Sequence, residues 1–201
     1  MSSTTAPATQ PLDPHSYASR SSVRVHHLAL NLTVDFDQRT LAGTATWQLT
    51  SLGASTELVL DSRDLTIKSV HVLDATGQPT PAMFTLDATD AVLGQALRVA
   101  LPAGTTAVRI AYRTAPTAAA LQWLAPAQTA GTQPFLFTQS QAILARTWLP
   151  CQDSPGIRFT YEATVRVPTH LLALMSAENP QQLNSSGEYL FRMGPSPFRP
   201  T

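Results

Sequence analysis

From Leu28 the chain alternates: Leu28, Leu30, Leu32, Val34 and Phe36 are separated by single small or polar residues. Successive side chains of a strand point to opposite faces, so this spacing gathers those apolar groups on one face. Asp37-Gln38-Arg39-Thr40 is polar and suits a turn. Leu41, Gly43, Ala45, Trp47 and Leu49 then alternate again. Two such runs across a short polar link predict an antiparallel hairpin. Gly43 and Ala45 are small, which predicts close packing of something bulky against the second strand.

The pattern continues in short pieces. Leu58-Val59-Leu60 is a brief apolar run. Leu65 and Ile67 keep one phase while Val70 and Val72 keep the other, so a bulge or break is expected near Ser69. Leu97, Val99 and Leu101 alternate, then Val108, Ile110 and Tyr112. Phe135 and Phe137 follow Trp123. Phe159, Tyr161, Ala163, Val165 and Val167 form a further strand, stopped by Pro168, and Tyr189, Phe191 and Met193 a last one. The 16 prolines fall mostly between these runs, where a missing N–H does least harm. No long apolar stripe of helical period occurs; the best helical turn is a weak one from Ser140 to Ala145. Many short strands with turns between them predict an all-β fold, a β-sandwich or a curved, saddle-like pair of sheets with mainly antiparallel strands. Residues 1–20, rich in Ser, Thr, Pro and Ala, are expected to be a disordered tail, and residues 21–201 one domain.

Charged residues are 13% of the chain, against about 25% in typical domains, and the formal net charge is zero. That balance offers no basic footprint for nucleic acid and no polybasic anchor for anionic membrane. One cysteine, Cys151, leaves no intrachain disulfide. The N-terminus lacks the charged start and apolar run of a secretory signal, so a cytoplasmic location is expected. The sequons at Asn31 and Asn184 are then read as chance matches.

Chemistry is sparse at the level of residues. A zinc hydrolase needs two histidines one helical turn apart with a carboxylate beside them, and none of the five histidines sits in H-E-x-x-H. His26 and His27 are adjacent, so on a strand they point to opposite faces. Asp35 and Asp37 flank Phe36 and read as a solvated strand end rather than a carboxylate pair. A Ser-His-Asp triad is assembled by geometry and leaves no fixed spacing, but the G-x-S-x-G elbow is absent. Cys151, between Pro150 and Gln152, reads as a buried structural thiol. No catalytic residue and no metal ligand is assigned.

The segments QWLAPAQTAG, FTQSQA, LPCQDSP and VPTHLLALMSA, in that order between Leu121 and Ala177, carry more information. With VDFDQRTLAGTATWQL and LVLDSRDLTI upstream, they resemble the gluzincin zinc aminopeptidases, in the branch of leukotriene-A(4) hydrolase and aminopeptidase B. The resemblance runs from about Val25 to Met193. It implies the β-saddle N-terminal domain of that family. It also implies a catalytic zinc held in a following domain, by motifs that this sequence does not contain, so the chain is expected to be inactive alone. The expected partners are that catalytic domain, in cis, and the N-terminus of a peptide substrate. Some members of the branch also hydrolyse an epoxide.

Within the resemblance, Gln139 and Gln141 are the substrate-binding candidates. General aminopeptidases of the family have Glu at the position matching Gln141, where a carboxylate meets the substrate ammonium; this branch has Gln. An amide carbonyl accepts from an ammonium without supplying an opposite charge. Pro150-Cys151-Gln152-Asp153-Ser154-Pro155 resembles the family's P-C-x-D-x-P turn, in which Asp153 is expected to accept backbone N–H groups. Family members continue past the last strand with a further apolar strand. Here Pro195, Pro197 and Pro200 stand instead, so the domain is expected to lack that strand and to leave a sheet edge or apolar face open. The alternatives to an enzyme fragment are a free-standing β-sandwich interaction module and a non-functional truncation product.

Overall fold

A computed structural model describes residues 13–20, 23–51 and 55–193. The fold is all-β. Twelve strands occur among these residues: β1 (Val23–Asp35), β2 (Thr40–Ser51), β3 (Glu57–Ser62), β4 (Thr66–Leu73), β5 (Pro79–Pro81), β6 (Phe84–Leu86), β7 (Gln95–Ala100), β8 (Ala107–Arg113), β9 (Leu121–Leu124), β10 (Phe135–Thr138), β11 (Thr160–Arg166) and β12 (Glu188–Arg192). A seven-stranded sheet runs β12-β11-β1-β2-β8-β4-β5, a three-stranded sheet β3-β7-β6, and β9 pairs with β10. Every pairing is antiparallel except β1 with β11.

The alternation of β1 and β2 becomes their pairing. Leu28, Leu30 and Leu32 lie opposite Trp47, Ala45 and Gly43, and all but Gly43 are buried. The buried phase of β1 shifts from Val23 and Val25 to Leu28 because the register slips between Val25 and His27, a bulge that adds one residue. The break expected near Ser69 is also present, as a register shift between Ile67 and Ser69. Gly43 admits no side chain, but the neighbour is not bulky. A Cβ there would lie 1.9 Å from the main-chain oxygen of Asn31 on β1.

Both faces of β3 are covered, so its run Leu58-Val59-Leu60 reads as continuous burial. Leu58 and Leu60 join Leu97 and Val99 of β7 and the inner residues of the seven-stranded sheet in one apolar cluster. Trp47 sits fully buried within it. Its Nε1 donates to the Pro150 carbonyl at 2.9 Å, and Phe159 meets it edge-on with ring centroids 4.8 Å apart.

Residues 1–12 of the expected tail lie outside the described residues. Residues 13–20 depart from that expectation: Tyr17–Arg20 is a 3-10 turn and Ser16 and Ala18 are buried. Composition hid this because the segment is held by polar bonds rather than by an apolar stripe. Ser16 Oγ donates to Asp61 at 2.6 Å and the Tyr17 N–H to the same carboxylate at 2.8 Å. The proline-rich segment in which a further strand is expected to be lacking, residues 194–201, also lies outside the described residues.

Candidate functional site

The β9–β10 hairpin sets the site. Phe135, Leu136, Phe137 and Thr138 pair with Leu124, Trp123, Gln122 and Leu121. Alternation turns Leu136 and Trp123 onto the core and leaves Phe135 and Phe137 on the outside, 52% and 43% exposed. Chain direction is kept past β10 by one more bond, from the Gln139 N–H to the Ala120 carbonyl at 2.9 Å. Ala120 is itself fixed, its N–H donating to Thr147 Oγ at 3.1 Å.

Gln139 and Gln141 are both exposed, and the structure brings them together. The Gln139 side-chain carbonyl accepts the Gln141 N–H at 3.0 Å. The Gln141–Ala142 peptide is cis. Between them Ser140 is anchored: Trp148 Nε1 donates to its hydroxyl at 3.1 Å, and its carbonyl accepts the Leu144 N–H at 2.9 Å. The weak helical turn expected at Ser140–Ala145 is thus a hydrogen-bonded turn that runs into a 3-10 turn at Ala145–Thr147. The result is a pair of neutral amides presented to solvent from a braced backbone. Amides accept and donate hydrogen bonds but do not titrate, so this pair can orient a charged group and cannot act as a general acid or base.

The other sequence candidates stay apart from it. His26 bonds Thr50 and His27 bonds Thr160, on strands to either side of β1. Asp35 accepts the Gln38 N–H inside the β1–β2 turn. Cys151 is fully enclosed, and burial pushes its thiol well above the usual range. Among the described residues no group of three His, Cys, Asp or Glu is placed to hold a metal.

Sequence reasoning missed a buried ionic cluster immediately downstream. Arg146 is completely buried, yet its guanidinium is satisfied: Nε bonds Asp153 at 3.0 Å, Nη1 the Leu93 carbonyl at 3.0 Å, and Nη2 the His15 carbonyl at 2.7 Å. Asp61, also fully buried, lies 3.7 Å from Nη1 and accepts the Asp153 N–H at 2.9 Å. Burial pushes the Asp61 carboxyl up, opposed by the Ser16 hydroxyl, Arg146 and two backbone N–H groups. Asp153 therefore serves Arg146, through its Nε and its backbone N–H, rather than the turn expected from the P-C-x-D-x-P resemblance. Beside it, Gln152 bonds the Val25 N–H and the Val23 and Val59 carbonyls. The one signal in the sequence was an arginine set in the apolar stretch before Pro150.

A separate groove of about 780 Å³ runs over the outer face of the seven-stranded sheet, past Asn31, Thr44, Arg109, Glu162, Leu190 and Arg192. None of the sequence candidates lines it.

The Peptidase M1 N-terminal domain family matches residues 14–196. Leukotriene A-4 hydrolase of Xenopus laevis is 40% identical over 183 residues, a match spanning 88% of this chain and 29% of that protein. Leucine aminopeptidase 2 of Pyricularia oryzae is 31% identical over 87% of this chain. The structure of yeast LTA4 hydrolase in complex with bestatin superposes with a TM-score of 0.80 over 94% of this chain, at 29% identity. The chain belongs to the M1 peptidase N-terminal domain family, and within it is similar to the leukotriene A-4 hydrolases and leucine aminopeptidases. It spans about 29% of the length of these relatives.

Proposed function

We propose that this chain is the substrate-side β domain of a cytoplasmic, leukotriene A-4 hydrolase-like zinc aminopeptidase. Its partner is a catalytic domain that carries the zinc. In that assembly Gln139 and Gln141 form one wall of the subsite for the free amine of a peptide, and Phe135 and Phe137 face the partner domain. The observation that carries this reading is the presentation of the two amides. They stand exposed on a backbone pinned by Ala120 and Trp148, beside an apolar strip on the same hairpin. Amide carbonyls there would accept hydrogen bonds from a substrate ammonium, with less pull than a carboxylate exerts.

The test combines the 201-residue chain with a separately expressed catalytic domain of a leukotriene A-4 hydrolase. Hydrolysis of an aminoacyl-anilide is followed. The expected result is association and turnover, with Gln141→Ala raising KM more than it lowers kcat. No association, or turnover indifferent to both glutamines, would overturn the proposal.

A further inference from the structure

Four hydrogen bonds close a ring through the turn that displays Gln139 and Gln141. The Gln139 N–H donates to the Ala120 carbonyl at 2.9 Å, and the carbonyl of the next residue, Ser140, accepts the Leu144 N–H at 2.9 Å. The Leu144 carbonyl accepts the Thr147 hydroxyl at 2.8 Å, and Thr147 Oγ accepts the Ala120 N–H at 3.1 Å. The circuit runs from Ala120 through Gln139-Ser140, Leu144 and Thr147 back to Ala120. Thr147 supplies the one side chain in it; every other donor and acceptor is main chain.

Thr147 is 1% exposed and Ala120 is fully buried. Both capacities of the hydroxyl are used, its proton toward Leu144 and a lone pair toward Ala120. Its position is set from behind. Arg146, the preceding residue, is buried with its guanidinium bonded to Asp153, Leu93 and His15, and its carbonyl accepts the Arg63 N–H at 2.9 Å. Gln141 lies inside the loop that the ring closes, and its N–H reaches the Gln139 side-chain carbonyl at 3.0 Å. That bond requires residues 139 and 141 to keep their relative placement. Removing the hydroxyl opens the ring at two links at once and leaves the buried Ala120 N–H without its acceptor.

We infer that Thr147 is a positioning residue for the amine subsite. Buried, it meets no substrate itself; its hydroxyl holds the turn from which Gln139 and Gln141 receive a substrate ammonium. The inference rests on the assignment of those two glutamines to that subsite. The ammonium carries its charge both in the bound substrate and in the transition state, so what the ring contributes is binding common to both. Opening the ring therefore raises KM and leaves kcat nearly unchanged.

The test is aminoacyl-anilide turnover by the 201-residue chain combined with a separately expressed leukotriene A-4 hydrolase catalytic domain. Thr147→Val keeps the shape and removes the hydroxyl. Its KM is expected to rise about two- to tenfold, the span of one neutral hydrogen bond, with kcat within about twofold of wild type. Thr147→Ser keeps the hydroxyl and is expected to restore the wild-type KM. Thr147→Cys, whose thiol bonds weakly, is expected to exceed Thr147→Ser, and that pair carries the test if Thr147→Val fails to fold by circular dichroism. In a Gln139→Ala, Gln141→Ala background the same substitutions should leave KM unchanged, since the ring then positions nothing. Gln152→Ala is the control for stability alone: its bonds run to β1 and β3, and KM should not follow it. A KM that ignores Thr147 while responding to Gln141→Ala, or that shifts as much in Gln152→Ala, would overturn the inference and spare the subsite. Turnover indifferent to both glutamines, or no turnover by the combined domains, would overturn the two together.

Discussion

Residues 139–141 and residues 146–153 lie within fifteen positions of each other and are held in opposite ways. Gln139 and Gln141 are exposed, and a short list of bonds, one of them accepted by the Gln139 amide itself, fixes their backbone. Arg146, Cys151 and Gln152 are buried, and every polar group named there is bonded across the chain, to β1, to β3 and to the N-terminal segment. Charge buried without partners is costly, so the second region is over-determined. The first is presented by it. The contrast is between a brace and the surface that it supports.

The comparison breaks most sharply at Arg146. Arg146→Met leaves Asp61 and Asp153 without their cation and is expected to cost about 3–5 kcal/mol in urea denaturation. The loss should shrink in acid. Burial already raises the Asp61 carboxyl above 3.8, so the folded chain holds that proton more tightly than the unfolded one. The term it adds is present below the unfolded value and lost as pH rises through the folded one. Removing the guanidinium raises the carboxyl further. The gap between wild type and variant should therefore be wider at pH 7 than near pH 4 (about the ordinary carboxylate value).

Gln152→Ala comes next. It removes the bonds to the Val25 N–H and to the Val23 and Val59 carbonyls and is expected to cost about 1–3 kcal/mol, with thermal melting as the check. Trp148→Phe removes the bond to the Ser140 hydroxyl, about 0.5–1.5 kcal/mol, and part of the ring that packs against the core. Its sharper signature is local: hydrogen exchange should quicken at residues 140–144 and hardly change at β3. Gln141→Ala should alter stability by less than about 0.5 kcal/mol, as exposed substitutions generally do. A larger loss would show that Gln141 belongs to the brace.

What the sequence disclosed follows from the range of the forces involved. Period-two alternation is local, and it located β1, β2, β8, β11 and β12 and the bulge at Ser69. Strands β5 and β6 went unread, since Pro79-Thr80-Pro81 and Phe84-Thr85-Leu86 are too short to show a period. The Arg146 cluster left only that one arginine as a signal, for a different reason. Its partners His15, Asp61 and Leu93 are distant in sequence, and ionic pairing leaves no pattern along the chain. Gln139 and Gln141 are candidates only through the likeness of FTQSQA to a known family. Nothing in residue chemistry alone sets two exposed amides apart from any others.

The parallel pairing of β1 with β11 has a consequence for synthesis. β1 is central and strongly apolar, and one neighbour, β2, follows at once; the other begins at Thr160. A ribosome adding about 5–20 residues each second needs on the order of 10 s to cover that interval. For that time the nascent sheet carries an open flank along its longest strand. Contacts this distant also slow folding after release. A chaperone that recognises extended apolar backbone would find its target there, and a polypeptide halted before Thr160 would display it without end.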